Sequence, residues 1–152
     1  MRSLSLGSIK VGSLVMPGGF QRLTRLVTVT SANILAMNAS PVTVLAAPPT
    51  GYAIVVNNIL VEIITTATQY ANGGVVTFVY HGGAVVVHAG SITAATINAA
   101  AATVLNQLGP IDTATGAIVP TATGVDITNA TAPFITGTGT LKVFFDYSII
   151  KL

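Results

Sequence analysis

Cysteine and tryptophan are absent from this chain, and only four of its residues are acidic. Without thiols there is no disulfide staple and no thiolate metal site, and the redox compartment stays undetermined. Charged residues make up 7% of the 152, against about a quarter in an ordinary soluble domain. Long hydrophobic runs are also missing, although apolar residues reach 51%. The longest candidate, Tyr52 to Ile64, is interrupted by Asn57, Asn58 and Glu62, well short of the roughly 18 continuous positions a spanning helix needs. Four tyrosines and five phenylalanines are too few for the girdles of a transmembrane barrel. The first residues carry Arg2 and Lys10 but no continuous apolar stretch, which argues against a cleaved signal peptide.

What the chain has instead is threonine, 21 residues of it. Threonine is β-branched and suits a pleated strand, so the composition points to an all-β domain. So few charges protect a free monomer poorly against self-association. The expectation is a subunit whose surface is largely covered by partners. The charges are also unevenly placed: Arg2, Lys10, Arg22 and Arg25 fall in the first 25 residues, which hold no acid, and no Lys or Arg occurs from Leu26 to Leu141. This predicts an extended basic arm over 1–25 and a nearly neutral body over 26–152. A basic arm seeks an acidic partner. Four charges spread over 25 residues make a weak nucleic-acid footprint, so a protein partner is expected, with neither nucleic acid nor membrane.

The body reads as short strands between turns. Candidates are LVTVT (26–30), PVTVLAA (41–47), YAIVVNNILVEIITTAT (52–68), VVTFVYH, AVVVH, VDITNA and LKVFFDYSII. In the last, Leu141, Val143, Phe145, Tyr147 and Ile149 alternate with Lys142, Phe144, Asp146 and Ser148, which predicts one face to the core and one to water. Ser31 is placed to cap a short helix, and NGG at 72–74 marks a tight turn. SANILAMNASPVTVL and SITAATINAAAATVL share Ser, Asn-Ala and Thr-Val-Leu in register, the pattern of a short capped helix feeding a strand, twice. The expected fold is a jelly-roll-like β-sandwich of about eight strands with one or two short helices.

Both histidines lie in YHGGAVVVH, residues 80–88. With Gly82 and Gly83 as a two-residue turn, Tyr80 faces Val85 and Thr77 faces His88. His81 and His88 then stand four residues apart on one face, roughly 13 Å, too far for one metal ion. Val76, Phe78, Tyr80, Val85 and Val87 form the expected core face. The other face carries Val75, Thr77, Val79, His81, Ala84, Val86 and His88, and a strand apolar on both faces is covered on both. Val75, Val79, His81, Val86 and His88 are therefore the expected subunit interface, and Arg2, Lys10, Arg22 and Arg25 the expected partner-binding arm.

Catalytic signatures do not emerge. Glu62, Asp112, Asp126 and Asp146 are scattered singly, without the pairing that general acid and base work uses. No serine sits in a G-x-S-x-G elbow. GTGTLK (137–142) leads into a strand rather than the helix a phosphate cradle needs. Neither enzyme activity, nor a metal, nor a cofactor is expected.

The runs TVTSANILAMNASPVTVLAAPPTGYAIVVNNILVEI, YANGGVVTFVYHGG and GVDITNATAPFITGTGTLKVFFDYSII resemble the capsid decoration (cement) proteins of tailed bacteriophages, over roughly residues 24–150. The resemblance implies a jelly-roll-like sandwich that forms a homotrimer on the capsid exterior, with a terminal arm clasping neighbouring major capsid proteins in a virion assembled in the host cytoplasm. Two alternatives remain from the residues themselves. One is a carbohydrate- or receptor-binding β-module of a tail or head fibre, with Tyr52, Tyr70 and Phe134 as the loop-proximal aromatics. The other is a small cupin-like enzyme, which would need a convergent cluster of His and acids.

Overall fold

The computed structural model describes residues 20–82, 85–99, 103–110, 120–129 and 131–152. Among them are β1 (Phe20–Val29), α1 (Ser31–Ala36), β2 (Val42–Leu45), β3 (Tyr52–Thr65), β4 (Ala71–Asn72), β5 (Val76–Tyr80), β6 (His88–Ala89), α2 (Ala94–Ile97), β7 (Thr103–Pro110), β8 (Val125–Asn129), β9 (Phe134–Ile135) and β10 (Gly139–Lys151). They form an all-β sandwich. One sheet has the order β1-β10-β3-β7-β6, the other β2-β8-β5, and β4 and β9 make a separate two-stranded ribbon.

The chain alternates between the two sheets, as a jelly roll does. β1, β3, β7 and β10 belong to the large sheet, and β2, β5 and β8 to the small one. The eighth strand position is filled by residues 85–92, which run along the free edge of β5. Tyr80 N–H donates to Val85 O, Val79 bridges Val86, Val87 N–H donates to Phe78 O, and Val76 bridges Ile92. The expected hairpin register thus holds for Tyr80, Val79 and Phe78 but fails at Thr77. His88 and Ala89 leave β5 and pair with Pro110 and Gly109 of β7. The bend buries Val87 and Ile92 completely, and Gly90 at φ 99° lets the chain return. Val85, expected in the core, is exposed, because VVV at 85–87 carries no alternation to set its phase.

β10 is paired along both edges, with β1 from Phe20↔Ile150 to Val29↔Leu141 and with β3 from Gly139↔Thr65 to Lys151↔Tyr52. Its inner face is as expected, with Leu141, Val143 and Phe145 buried and Tyr147 and Ile149 packed against the same core, but Ser148, expected toward water, is buried. Asp146 pairs with Asn58 and Tyr147 with Val56, leaving Asn57 as the extra residue of a β-bulge on β3. Phe145 meets Phe78 of β5 edge-to-face, with ring centroids 5.6 Å apart. That contact joins the two sheets at the centre of the core and adds about 1 kcal/mol beyond the area it buries.

Polar ties close the sandwich. Tyr80 Oη donates to the Ile54 carbonyl at 2.7 Å, at a point where β3 has run past its pairing with β7. Thr30, not Ser31, caps α1: its backbone is extended and its Oγ1 accepts from Asn33 N–H, while Ser31 is already helical. Thr93 caps α2 in the same way. Each copy of the sequence echo thus holds a Thr-capped helix ahead of a strand, β2 in the small sheet and β7 in the large one. The caps are not equivalent: Thr30 lies just before the first copy and Thr93 two residues into the second. Asn38 and Asn98, equivalent in the echo, each donate a side-chain N–H to a backbone carbonyl, of Asn129 and Asn72 respectively. NGG does turn the chain, with Asn72 and Gly73 both at positive φ, but it carries the chain from the ribbon into the small sheet rather than closing a hairpin. A Cβ on Gly73 would sit 2.1 Å from the Phe134 ring.

Burial pushes the Tyr70 and Tyr80 phenols up from 10.0 to about 12. Below about pH 10 both are protonated whether the chain is folded or not. Above it the unfolded chain ionises first, so stability falls as pH rises from about 10 toward 12. Circular dichroism against pH is expected to show alkaline unfolding starting above pH 10. Tyr80→Phe is expected to cost about 1 kcal/mol at neutral pH through the lost Ile54 bond and to flatten the alkaline loss.

Candidate functional site

Two outward-facing surfaces carry the chain's polar chemistry, one on each sheet. On the small sheet, Val79 of β5 pairs with Asp126 of β8, which pairs with Thr43 of β2. Asp126 is buried, its carboxylate only 5% exposed. Oδ1 accepts from Thr43 Oγ1 at 2.8 Å, and Oδ2 lies 2.7 Å from His81 Nδ1. The His81 side chain is 68% exposed. The carboxylate sits between the hydroxyl and the imidazole, so Thr43 donates to Asp126 and is not aligned on the histidine. That order does not activate a nucleophile, which needs the imidazole in the middle. The arrangement instead anchors the turn after β5 to the sheet. A shallow depression beside it is lined by Ala46, Ala47, Ala122, Thr123 and Gly124.

The structure brings Val79, His81 and Val86 together on this face. Val79 is half-buried and Val86 is 42% exposed. Val75 lies just before β5 and is 41% exposed. His88 belongs, by its backbone, to the large sheet through β7, so it does not share a strand pair with Val79 and Val86 as expected; its side chain lies outside the described residues.

The large sheet's outer face was not singled out by the sequence. Its central row runs Leu26–Phe144–Leu60 across β1, β10 and β3. Leu26 is 53% exposed and Phe144 38%. With Thr24, Asn58 and Asp146 they line an open groove of about 380 Å³. An ion pair stands on each side of the row. Lys142 Nζ reaches Glu62 Oε2 at 3.2 Å. Arg22 Nε donates to Asp146 Oδ1 at 2.9 Å, and its Nη2 to Oδ2. Asn57, the bulge residue, donates to Asp146 and to the buried Ser148 hydroxyl. The Arg22 guanidinium, bonded to Asp146, holds that carboxyl below its usual value, aided by Asn57 and opposed by burial. In turn Asp146 raises the Arg22 guanidinium.

This geometry corrects the boundary of the arm. β1 begins at Phe20, so Arg22 and Arg25 stand in the sheet, opposite Ser148 and Phe145, and Arg22 is already paired. A strand of ten residues needs the partner edge of β10, which no local pattern in FQRLTR announces. Arg2 and Lys10 lie outside the described residues, as does Asp112. Among the described residues every acid is answered by one base: Glu62 by Lys142, Asp126 by His81, Asp146 by Arg22.

Tyr70 and Phe134, two of the three aromatics considered for carbohydrate stacking, are buried against each other with ring centroids 6.0 Å apart. No group of three or more His, Cys, Asp or Glu able to hold a metal occurs among the described residues. No helix among them is long and apolar enough to cross a membrane.

Removing Asp126 strands two partners at once. Asp126→Ala is expected to lower stability by about 1–3 kcal/mol in chemical denaturation, whereas His81→Ala, on the exposed side of the pair, is expected to cost under about 1 kcal/mol.

No protein-family model matches the chain, and no curated protein matches it. Among solved structures it is similar to one described as the capsid of Ralstonia phage GP4, with 12% identity and a TM-score of 0.45 over 89% of this chain and 88% of that one.

Proposed function

We propose that this chain is a non-enzymatic structural protein of a bacteriophage virion, which trimerises on the outside of the capsid and cements neighbouring major capsid proteins. The observation that carries the reading is the distribution of side chains on the small sheet's outer face. Val79 and Val86 stand side by side beside a tethered His81, with Val75 exposed nearby. An apolar strip rimmed by one anchored polar group has the make-up of a protein contact. The resemblance of the sequence to decoration proteins supports the same reading. So does the outward, divergent placement of the ionisable groups, because catalysis needs such groups to converge on one reacting atom.

In this reading the small-sheet face joins copies into the trimer, and Arg2 and Lys10 attach the segment before β1 to an acidic capsid surface. Arg22 has a smaller part, since Asp146 already satisfies it. Several weak attachments per trimer hold the shell together through multivalency.

Measured mass in solution, followed by mixing with undecorated capsids, tests the reading. Trimers, single or paired, that co-sediment with capsids are expected. Val79→Asp/Val86→Asp is expected to yield smaller species, and Arg2→Glu/Lys10→Glu to leave the trimer intact but weaken capsid binding by about tenfold or more. A truncation should stop at residue 19, because deletion through Arg25 also removes over half of β1. A monomer that ignores capsids overturns the proposal.

A further inference from the structure

The large sheet's outer face leaves Leu26 and Phe144 exposed in one cross-strand row, with Leu60 continuing it. Its charges are arranged with a symmetry of their own. Lys142 lies two residues before Phe144 on β10 and Asp146 two residues after, both on this outer face. We propose that this face docks a second copy of the chain, sheet to sheet, about a two-fold axis that lies in the contact plane and runs along the Leu26–Phe144–Leu60 row.

The geometry follows from the registers. Rotation about that axis reverses strand direction but keeps each strand over its own counterpart. Phe144 therefore meets the partner's Phe144, and Leu26 and Leu60 meet their own equivalents. Residues on either side of the axis exchange places, so Lys142 comes to face the partner's Asp146, and Asp146 the partner's Lys142. Glu62 comes to face the partner's Asn58, and Thr28 the partner's Thr24. Arg22, bonded to Asp146, comes with it, so the Lys142–Glu62 pair of one copy faces the Asp146–Arg22 pair of the other. An axis parallel to the strands along β10 would instead set Lys142 against the partner's Lys142 and Asp146 against the partner's Asp146, so the charges select one of the two in-plane arrangements. Such a contact is isologous, as most homodimer contacts are. Aligned sheets pack about 10 Å apart with strands inclined by about 30°, which keeps the overlap of charges best near Phe144, where Lys142 and Asp146 lie.

The inference goes beyond the capsid reading: it uses the opposite face of the sandwich and a different symmetry. The test is native mass spectrometry and sedimentation of the full chain. The wild type is expected to contain a dimer-forming step that Phe144→Asp removes, halving the assembly's mass while the far-UV spectrum stays that of the wild type. Leu26→Asp is expected to do the same, and it serves if Phe144→Asp fails to fold. The exchange Glu62→Lys/Lys142→Glu keeps the ion pair within each copy but sets a carboxylate at position 142 against the partner's Asp146. It is expected to weaken pairing by about tenfold or more. Unchanged mass in folded Phe144→Asp or Leu26→Asp overturns the proposal, as does wild-type association of the exchanged pair. A wild type that is monomeric, yet loses capsid binding on Phe144→Asp, overturns it in favour of a heterologous partner. Assemblies broken only by Val79→Asp/Val86→Asp sink this contact and leave the trimer standing; the reverse result sinks the trimer and leaves this contact.

Discussion

β10 decides both faces of the large sheet, and through them most of the molecule. It is hydrogen-bonded along each edge, so its register is set twice. Period two then sends Leu141, Val143 and Phe145 inward and Lys142, Phe144 and Asp146 outward. A slip of one residue would exchange the two sets, taking Phe145 from its contact with Phe78 and burying a lysine and an aspartate. The bulge is on β3, at Asn57, so β10 itself carries no extra residue. Asn57 then uses its displaced side chain to bind Asp146 and Ser148, and the irregularity of one strand becomes an anchor for the next.

The scarcity of charge acts on the outside as strongly as the alternation acts on the inside. Each acid among the described residues is matched with a base, two of the three pairs bridging neighbouring strands of the large sheet. Exposed pairs of this kind add little stability, about 0–1 kcal/mol. Their effect is to fix where those four charges of the large sheet stand. Contacts made there depend on shape and apolar area, while orientation comes from where each fixed pair sits. Asp126 is different, because it is buried and its two oxygens are shared between Thr43 and His81; it ties β2, β8 and the turn after β5 into one unit.

Strict alternation made parts of this legible in advance. The inner face of β10, the core residues Val76, Phe78 and Tyr80, and the sandwich class followed from period two and from turn residues. The repeated helix-to-strand pattern was also readable, although both caps are threonines and the first lies one residue ahead of the serine that drew attention. What escaped depends on contacts far apart in sequence. Arg22 finds Asp146 across 124 positions and His81 finds Asp126 across 45. β4, β6 and β9 are two residues each, too short to show any period. Residues 85–87 are valine throughout, so nothing local told which of them turned inward; the answer came from Ile92, which returns to Val76 and draws Val87 into the core. The outer row Leu26–Phe144–Leu60 was hidden because its members come from three strands.

The separation of the polar groups bears on function more than any single residue does. Thr43, Asp126 and His81 occupy the outer face of one sheet; Arg22, Asn57, Asp146 and Ser148 occupy the outer face of the other. Two packed sheets stand about 10 Å apart, and the core fills the space between them. Groups on opposite faces therefore cannot converge on one bond, which requires reacting atoms within about 3–3.5 Å. In the two contacts proposed above, a thin slab with one contact surface on each side would touch two neighbours at once. The core between those two surfaces joins the sheets through the edge-to-face pair Phe78 and Phe145. In that proposed assembly, the Phe78–Phe145 pair would help set the angle between the two neighbours.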